Sequence, residues 1–361
     1  MNAQNKKILI SMTAHMGDFI WATSAFAILK KTYPEIEITV LAPESIKELI
    51  EKNPVIDKVI YSPFSNNDAK SRVKKLFWAA TVIPKIFIKN FDSILIFDSS
   101  KISVLIAKFA RIKHIVGGDL FFAGFDILDP LSKFYTRIIA LPKDQDAIHA
   151  SARFQIIVKN YFEIYNNAMP VLPNSSHCAK NAQELLQNKN NINVALCIKG
   201  SKNTSHVWDI GNFEKIINYL TDKYNNIDFY IVGAKNDYGY AQQIKLKNVR
   251  NICGKTTLLN LREFFKLTDL LISLDTGVIH LAATTDINII SLHGATSPAT
   301  TGPMSSKAVT LWTKTDCALC SLKKIFSDYK CPTYPQPKCL ELIKPETVTQ
   351  EAIKILDTLK K

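Results

Sequence analysis

No uninterrupted apolar run in this chain of 361 residues is long enough to span a bilayer, and residues 1–20 lack the apolar core and small-residue cleavage site of a secretory signal. A membrane-spanning protein and a secreted one are not expected, and the cytoplasm is the expected location. Also missing are a Gly-x-Gly-x-x-Gly fingerprint, a Walker A lysine loop and a serine nucleophile elbow. Their absence sets aside the commonest dinucleotide, P-loop and serine-hydrolase chemistries. No short internal repeat or low-complexity tract is evident.

Acid is scarce relative to base: 32 Asp and Glu stand against 45 Lys and Arg, for a net charge of +13. Such an excess fits nucleic acid, an anionic membrane surface or anionic small substrates. Its distribution is uneven. Residues 70–113 hold ten cations (Lys70, Arg72, Lys74, Lys75, Lys85, Lys89, Lys101, Lys108, Arg111 and Lys113) against Asp92 and Asp98 alone. Phe77, Trp78, Phe87 and Phe91 are interleaved with them, and Val73, Leu76, Phe77 and Ala80 recur at helical spacing. A helix with that stripe is expected to bury it. The region reads either as a solvated basic helix on a domain surface or as a dock for phosphorylated lipid at a membrane face. No recognised nucleic-acid motif accompanies the charge, so nucleic acid is not the expected partner.

Of seven cysteines, Cys178, Cys197 and Cys253 are scattered and read as inert thiols. The other four form Cys317-x2-Cys320-x10-Cys331-x7-Cys339. In a cytosolic chain this spacing reads as a small structural zinc knuckle more than a disulfide pair.

A chain of this length exceeds what one core usually supports, so two domains are expected. Apolar runs at Lys7–Met12, Ile36–Leu41, Lys58–Tyr61 and Ser93–Phe97 alternate with helical patterns, as do runs at Asn193–Ile198, Asp228–Val232, Val249–Cys253, Leu270–Leu274 and Ile287–Leu292. Alternation of this kind predicts α/β architecture with parallel sheets. A long helix is expected over residues 147–165 and another over 212–223; Asn166–Ser176 reads as the linker. The expected domains are residues 1–170 and 177–361, the second carrying the cysteine-rich segment 317–339.

In doubly wound sheets, ligands sit beyond the carboxyl ends of the strands. One such loop begins at Asp275-Thr276-Gly277, straight after the apolar run Leu270–Leu274, and opens a helix through Val278-Ile279-His280-Leu281-Ala282-Ala283. The unpaired N–H groups of that helix could receive a phosphate, with His280 on the same face as Thr276. An ordinary capped helix with a core histidine is the other reading. The loop Ser11-Met12-Thr13-Ala14-His15-Met16-Gly17-Asp18 also joins a strand to a helix. There Asp18 is either a helix cap or a general base, and His15 a loop residue or a substrate contact. Ile198 to Trp208, with Lys199, Gly200, Ser201, Lys202 and His206, combines glycine, hydroxyls and cations in a way suited to a diphosphate. Asp144-Gln145-Asp146 spells Asp-x-Asp, a cation pattern that also suits the start of a helix.

Taken in order, the Ser11 to Asp18 loop, the glycine-serine loop ending at Trp208, Asp275 to Ala283, and Gly294-Ala295-Thr296-Ser297-Pro298 with Gly302-Pro303 resemble bacterial heptosyltransferases of glycosyltransferase family 9. The resemblance covers nearly the whole chain. It implies a GT-B fold, two Rossmann-like doubly wound domains facing across a cleft, the first for the acceptor and the second for an ADP-linked heptose. By the same resemblance Asp18 is the general base of an inverting transfer to the inner core of lipopolysaccharide. Ser201, Lys202, His206, Asp275, Thr276, Gly277 and His280 would bind the donor, and His15, Gly17 and Lys101 the acceptor. No cofactor is required, a structural zinc being the one metal expected. The enzyme is expected to work peripherally at the inner face of the inner membrane. His206 stands where the family commonly has lysine, so a different nucleotide sugar is the alternative; a non-catalytic protein binding anionic lipid or nucleic acid is the remaining one.

Overall fold

The structure is a computed structural model that describes residues 6–64, 72–98, 100–119, 131–142, 148–199, 206–317, 320, 331, 333 and 335–359. The chain divides into two compact units, Met1–Pro173 and Asn174–Lys361.

In the first unit, strands β1 (Lys7–Ser11), β2 (Glu37–Pro43), β3 (Lys58–Ser62), β4 (Ser93–Ile96), β5 (His114–Gly118) and β6 (Arg137–Ile139) form one parallel sheet in the order β3-β2-β1-β4-β5-β6. The second unit contains β7 (Ile192–Cys197), β8 (Ile227–Ile231), β9 (Val249–Asn251), β10 (Leu270–Leu274), β11 (Asn288–His293) and β12 (Ala308–Trp312), also parallel, in the order β12-β11-β10-β7-β8-β9. Counted within each unit, the two orders are the same: 3-2-1-4-5-6, the Rossmann arrangement. Central strands such as Ser93–Ile96 and Leu270–Leu274 are buried at every position. They read as continuous apolar runs because helices cover both faces of a parallel sheet.

Three strands escape a reading by apolar runs. β5 is His-Ile-Val-Gly-Gly, β6 has three residues, and β12 is an edge strand with no fully buried position. The expected helices are shorter or earlier than their patterns. The one predicted over 147–165 is Ala150–Phe162, closed by Glu163 in the left-handed region at φ 58°. The one predicted over 212–223 is Ile210–Lys223, whose first turn is capped by Asp209 Oδ1, accepting from Gly211 N–H at 2.7 Å.

The Arg72–Lys89 helix corrects a second expectation. Val73, Leu76 and Phe77 are exposed, whereas Ala79, Val82 and Ile86 face the core with Leu9, Ile94, Ile96 and Ile106. Two apolar stripes share this helix, and the sheet takes the one that the earlier spacing did not select. Elsewhere in the first unit the Met16–Thr32 helix packs against Ala150–Phe162, with the rings of Phe26, Phe97 and Phe154 stacked between them at centroid distances of 6.2 and 5.0 Å.

At the start of the second unit Ser175 is fully buried; its hydroxyl donates to Glu263 and accepts from Arg262 Nη1 at 2.9 Å. Gly294 has a positional reason. A Cβ there would lie 2.9 Å from Cys339 Sγ and from Leu340 Cγ, so only glycine lets the C-terminal segment close onto β11.

Candidate active site

In both sheets the strand order reverses between the first and fourth strands, and the loops leaving those strands are where open α/β sheets place ligands. In the first unit these loops follow β1 and β4. The register Ser11↔Ile96 sets their ends side by side. Asp98, which is 1 % exposed, accepts from Thr13 N–H and Thr13 Oγ1, each at 2.5 Å, from Ser11 Oγ at 3.1 Å and from Ser100 N–H at 3.2 Å. A buried carboxylate with this many donors is a tether. It fixes the β1 loop from a position 85 residues away.

That loop ends at the Met16–Thr32 helix. Half-buried Asp18 stands in its first turn, and Asp18 Oδ2 accepts from His15 N–H at 3.2 Å. The carboxylate therefore does cap the helix, which is one of its two sequence readings. His15 is exposed and Gly17 buried. Lys101 is exposed at the start of the Lys101–Phe109 helix, whose N-cap Ser100 accepts from Ser103 N–H at 3.3 Å. Thr13, Ser100 and Ser103 line a small hollow with Ser62, Lys75 and Trp78.

In the second unit the corresponding loops follow β7 and β10. The register Leu274↔Leu292 carries one step further to set Asp275 beside His293, and Asp275 N–H donates to Leu292 O at 3.0 Å. Asp275 Oδ2 accepts from Thr296 Oγ1 and from Thr301 Oγ1 at 3.3 Å, and lies 3.5 Å from His293 Nδ1. His293 is fully buried, and its other ring nitrogen, Nε2, meets Ser291 Oγ at 3.0 Å. The largest single influence on the Asp275 carboxyl is burial, which raises its pKa. His293, then His206 and His280, outweigh burial and hold it well below the ordinary carboxylate range. His206 responds oppositely. Burial depresses its pKa more than Asp275 raises it.

Thr276 is the N-cap of Gly277–Ala282, its side chain accepting from Val278 N–H at 3.2 Å and its carbonyl from Ile279 N–H at 3.2 Å. This helix has six residues, so any anion would feel local N–H groups more than a long macrodipole. His280 is buried within it. Cys197, at the end of β7, has Sγ 3.9 Å from Thr276 Oγ1; burial pushes its thiol up and keeps it inert. Trp208 is buried, donates from Nε1 to Ile343 O at 3.2 Å and packs edge-on against Phe213 at 4.9 Å. Lys199 pairs with Asp237 at 3.3 Å.

Thus the structure gathers His206, Asp275, Thr276, Gly277 and His280 in one unit, and His15, Gly17, Asp18 and Lys101 in the other. Gly200, Ser201 and Lys202 lie outside the described residues, as do Asp144 and Asp146. Asp98, His293 and Thr301 were missed. The nearest sequence signal was their place directly at, or shortly after, the carboxyl end of an apolar run.

The structure does not support the zinc expectation. Among the described residues no group of three or more His, Cys, Asp or Glu side chains could hold a metal ion, and none of the four C-terminal cysteines is in a disulfide. Cys317 Sγ and Cys331 Sγ instead meet the nearby hydroxyls of Thr315 and Thr333, at 3.4 and 3.5 Å. Cys339 packs against Gly294; burial first, then the Cys320, Cys317 and Cys331 thiols, push it up to about 11, so it is a neutral core residue.

Comparison with known proteins bears on the family and the fold. Residues 82–329 match glycosyltransferase family 9 (heptosyltransferase). The lipooligosaccharide heptosyltransferase 2 of Haemophilus ducreyi is 26 % identical over 325 residues, covering 84 % of this chain and 87 % of the relative. Among solved structures, a family 9 glycosyl transferase from Veillonella parvula superposes with a TM-score of 0.80 at 22 % identity, over 99 % of this chain and 98 % of the other. The Escherichia coli ADP-heptose lipopolysaccharide heptosyltransferase II does so with a TM-score of 0.76 at 18 % identity, over 99 % and 100 %. With a family match across more than half of its length, laid over two Rossmann-type units, the chain belongs to glycosyltransferase family 9 and is a glycosyltransferase.

Proposed function

We propose that the chain transfers heptose from ADP-heptose to the inner core of a lipid A-anchored acceptor at the membrane surface, with inversion. The observation that carries this reading is placement: Asp18 and the Asp275-Thr276-Gly277 turn each leave a strand at the switch point of their own Rossmann sheet. The first unit then serves the acceptor and the second the nucleotide sugar. Asp18 takes the proton of the acceptor hydroxyl as its oxygen bonds to the anomeric carbon. The bond from that carbon to the phosphate oxygen breaks, and ADP leaves with the electron pair. Thr276 and Gly277, with Ser201 and Lys202, receive the charge that develops on the diphosphate. Asp275, held ionised by its histidine and threonine neighbours, accepts from heptose hydroxyls, and His280 and His206 border the same group. His15, Gly17 and Lys101 face the acceptor.

Because Asp18 also caps its helix, alanine would remove two roles at once. Asparagine keeps an acceptor for His15 N–H and loses only the base. Asp18→Asn should lower ADP release about 10²- to 10⁴-fold, the range for loss of a general base, with thermal stability and ADP binding unchanged. Turnover near the wild-type rate would remove Asp18 from the chemistry.

One observation favours a second reading. His206, whose pKa burial lowers, stands where the family commonly has lysine, which points to a different nucleotide sugar. Thermal shift with ADP, UDP and GDP separates the two, since only the matching nucleotide stabilises strongly.

A further inference from the structure

The Arg72–Lys89 helix presents solvent with something a globular surface normally hides. Val73, Leu76, Phe77, Ala80, Pro84, Phe87 and Ile88 all fall in the exposed class, with Phe77 72 % and Ile88 80 % accessible. At 3.6 residues per turn these seven positions lie on one side of the helix, about 22 Å from end to end. The opposite side, Ala79, Val82 and Ile86, is the one packed on the sheet. The outward stripe is therefore not the one that packs on the sheet. Phe109, 65 % exposed at the end of the neighbouring Lys101–Phe109 helix, extends the apolar surface, and the Arg111 guanidinium lies 5.9 Å over the Phe87 ring.

Charge decides what could cover it. Neither helix contains a single Asp or Glu, whereas Lys74, Lys85, Lys108 and Arg111 are all exposed beside the apolar stripe. A second copy of this chain would bring lysine against lysine. An anionic bilayer meets both features at once, the apolar ridge entering the acyl boundary while the lysines reach the phosphates from alongside. No helix among the described residues is long and apolar enough to cross a membrane, so this one lies on the surface rather than through it.

We propose that the exposed face of the Arg72–Lys89 helix, with Phe109 and Arg111, docks the first unit onto an anionic lipid bilayer. This deepens the proposed function and rests on it only for the purpose of the contact, delivery of a lipid-anchored acceptor. The test is co-sedimentation of the full chain with phosphatidylcholine vesicles made with or without phosphatidylglycerol. Wild type should bind the anionic vesicles at least about tenfold better than the neutral ones, and less well as salt rises. Phe77→Ser with Ile88→Ser, and separately Lys74→Glu with Lys85→Glu, should each cut that binding about tenfold or more with melting temperature retained. Phe77→Trp should show a blue-shifted emission on adding anionic vesicles. Equal binding to both vesicle types, or variants that bind as wild type does, would overturn the proposal. So would a wild-type oligomer that the serine variant dissociates while neither binds vesicles. ADP release with a soluble, delipidated core acceptor separates this from the functional reading: docking that persists without turnover sinks heptose transfer alone, and turnover without docking sinks the membrane face alone.

Discussion

Asp275 and His206 titrate in the same direction of stability although one is an acid and the other a base. Each takes up a proton less readily in the native state than in the unfolded chain, so acidification favours unfolding at both. His206 contributes its penalty as the pH falls below about 6.5, the ordinary histidine value, because the unfolded chain then takes up a proton more readily than the native ring does. The contribution of Asp275 is complete above about 4 and is lost as the pH drops through its depressed native value. Urea unfolding of the full chain should therefore show stability declining between pH 7 and 5, with His206→Gln flattening that slope. Asp275→Asn should cost about 3 kcal/mol at pH 7, the scale for breaking a buried charge cluster, and the deficit should shrink below pH 4. Little of this cluster was legible beforehand. Asp275, His280 and His206 stand in recognisable loops, but His293 reaches Asp275 only through the β10–β11 register, which no local pattern encodes. Asp98 is hidden in the same way behind the β1–β4 pairing.

Among elements, the central strands were the most legible because burial on both faces writes an unbroken apolar run. The Arg72–Lys89 helix was the least, since two stripes at the same period compete and the sequence does not say which one the sheet will take. Strand β5 failed for lack of side chains, ending in Gly117 and Gly118 where a Cβ would meet Tyr135 and Leu141 at 2.6 and 2.5 Å. The loop ending at Trp208 depends on an element far along the chain. The indole of Trp208 joins the Ile210–Lys223 helix to the segment before Pro345–Thr358 through Phe213 and the Ile343 carbonyl. Trp208→Ala should destabilise the second unit by about 3–5 kcal/mol. Trp208→Phe should cost less, roughly 1–3 kcal/mol, for a smaller ring and an unanswered carbonyl. Denaturant midpoints at constant slope would verify both, and a loss no greater for alanine than for phenylalanine would contradict the packing role.

At the scale of the molecule, α/β alternation in the sequence predicts doubly wound units, and both have the same strand order. What alternation could not convey was which stripe of the Arg72–Lys89 helix faces solvent, since that depends on packing choices inside the first unit. If the second unit alone holds the nucleotide, calorimetry should separate the two. ADP at about a hundredfold over its dissociation constant should stabilise residues 174–361 by about 2.7 kcal/mol and leave the other transition in place. A uniform upward shift of both transitions would contradict that division of labour. The Asp98 tether has a kinetic consequence as well. The loop before Asp18 is complete in sequence by residue 18, yet it lacks its carboxylate tether until β4 has joined β1 and brought Asp98 to Thr13. On a ribosome that moment comes some eighty residues later. Early fragments of this chain that reach only Met16–Thr32 therefore hold the β1 loop without the carboxylate that anchors it in the finished sheet.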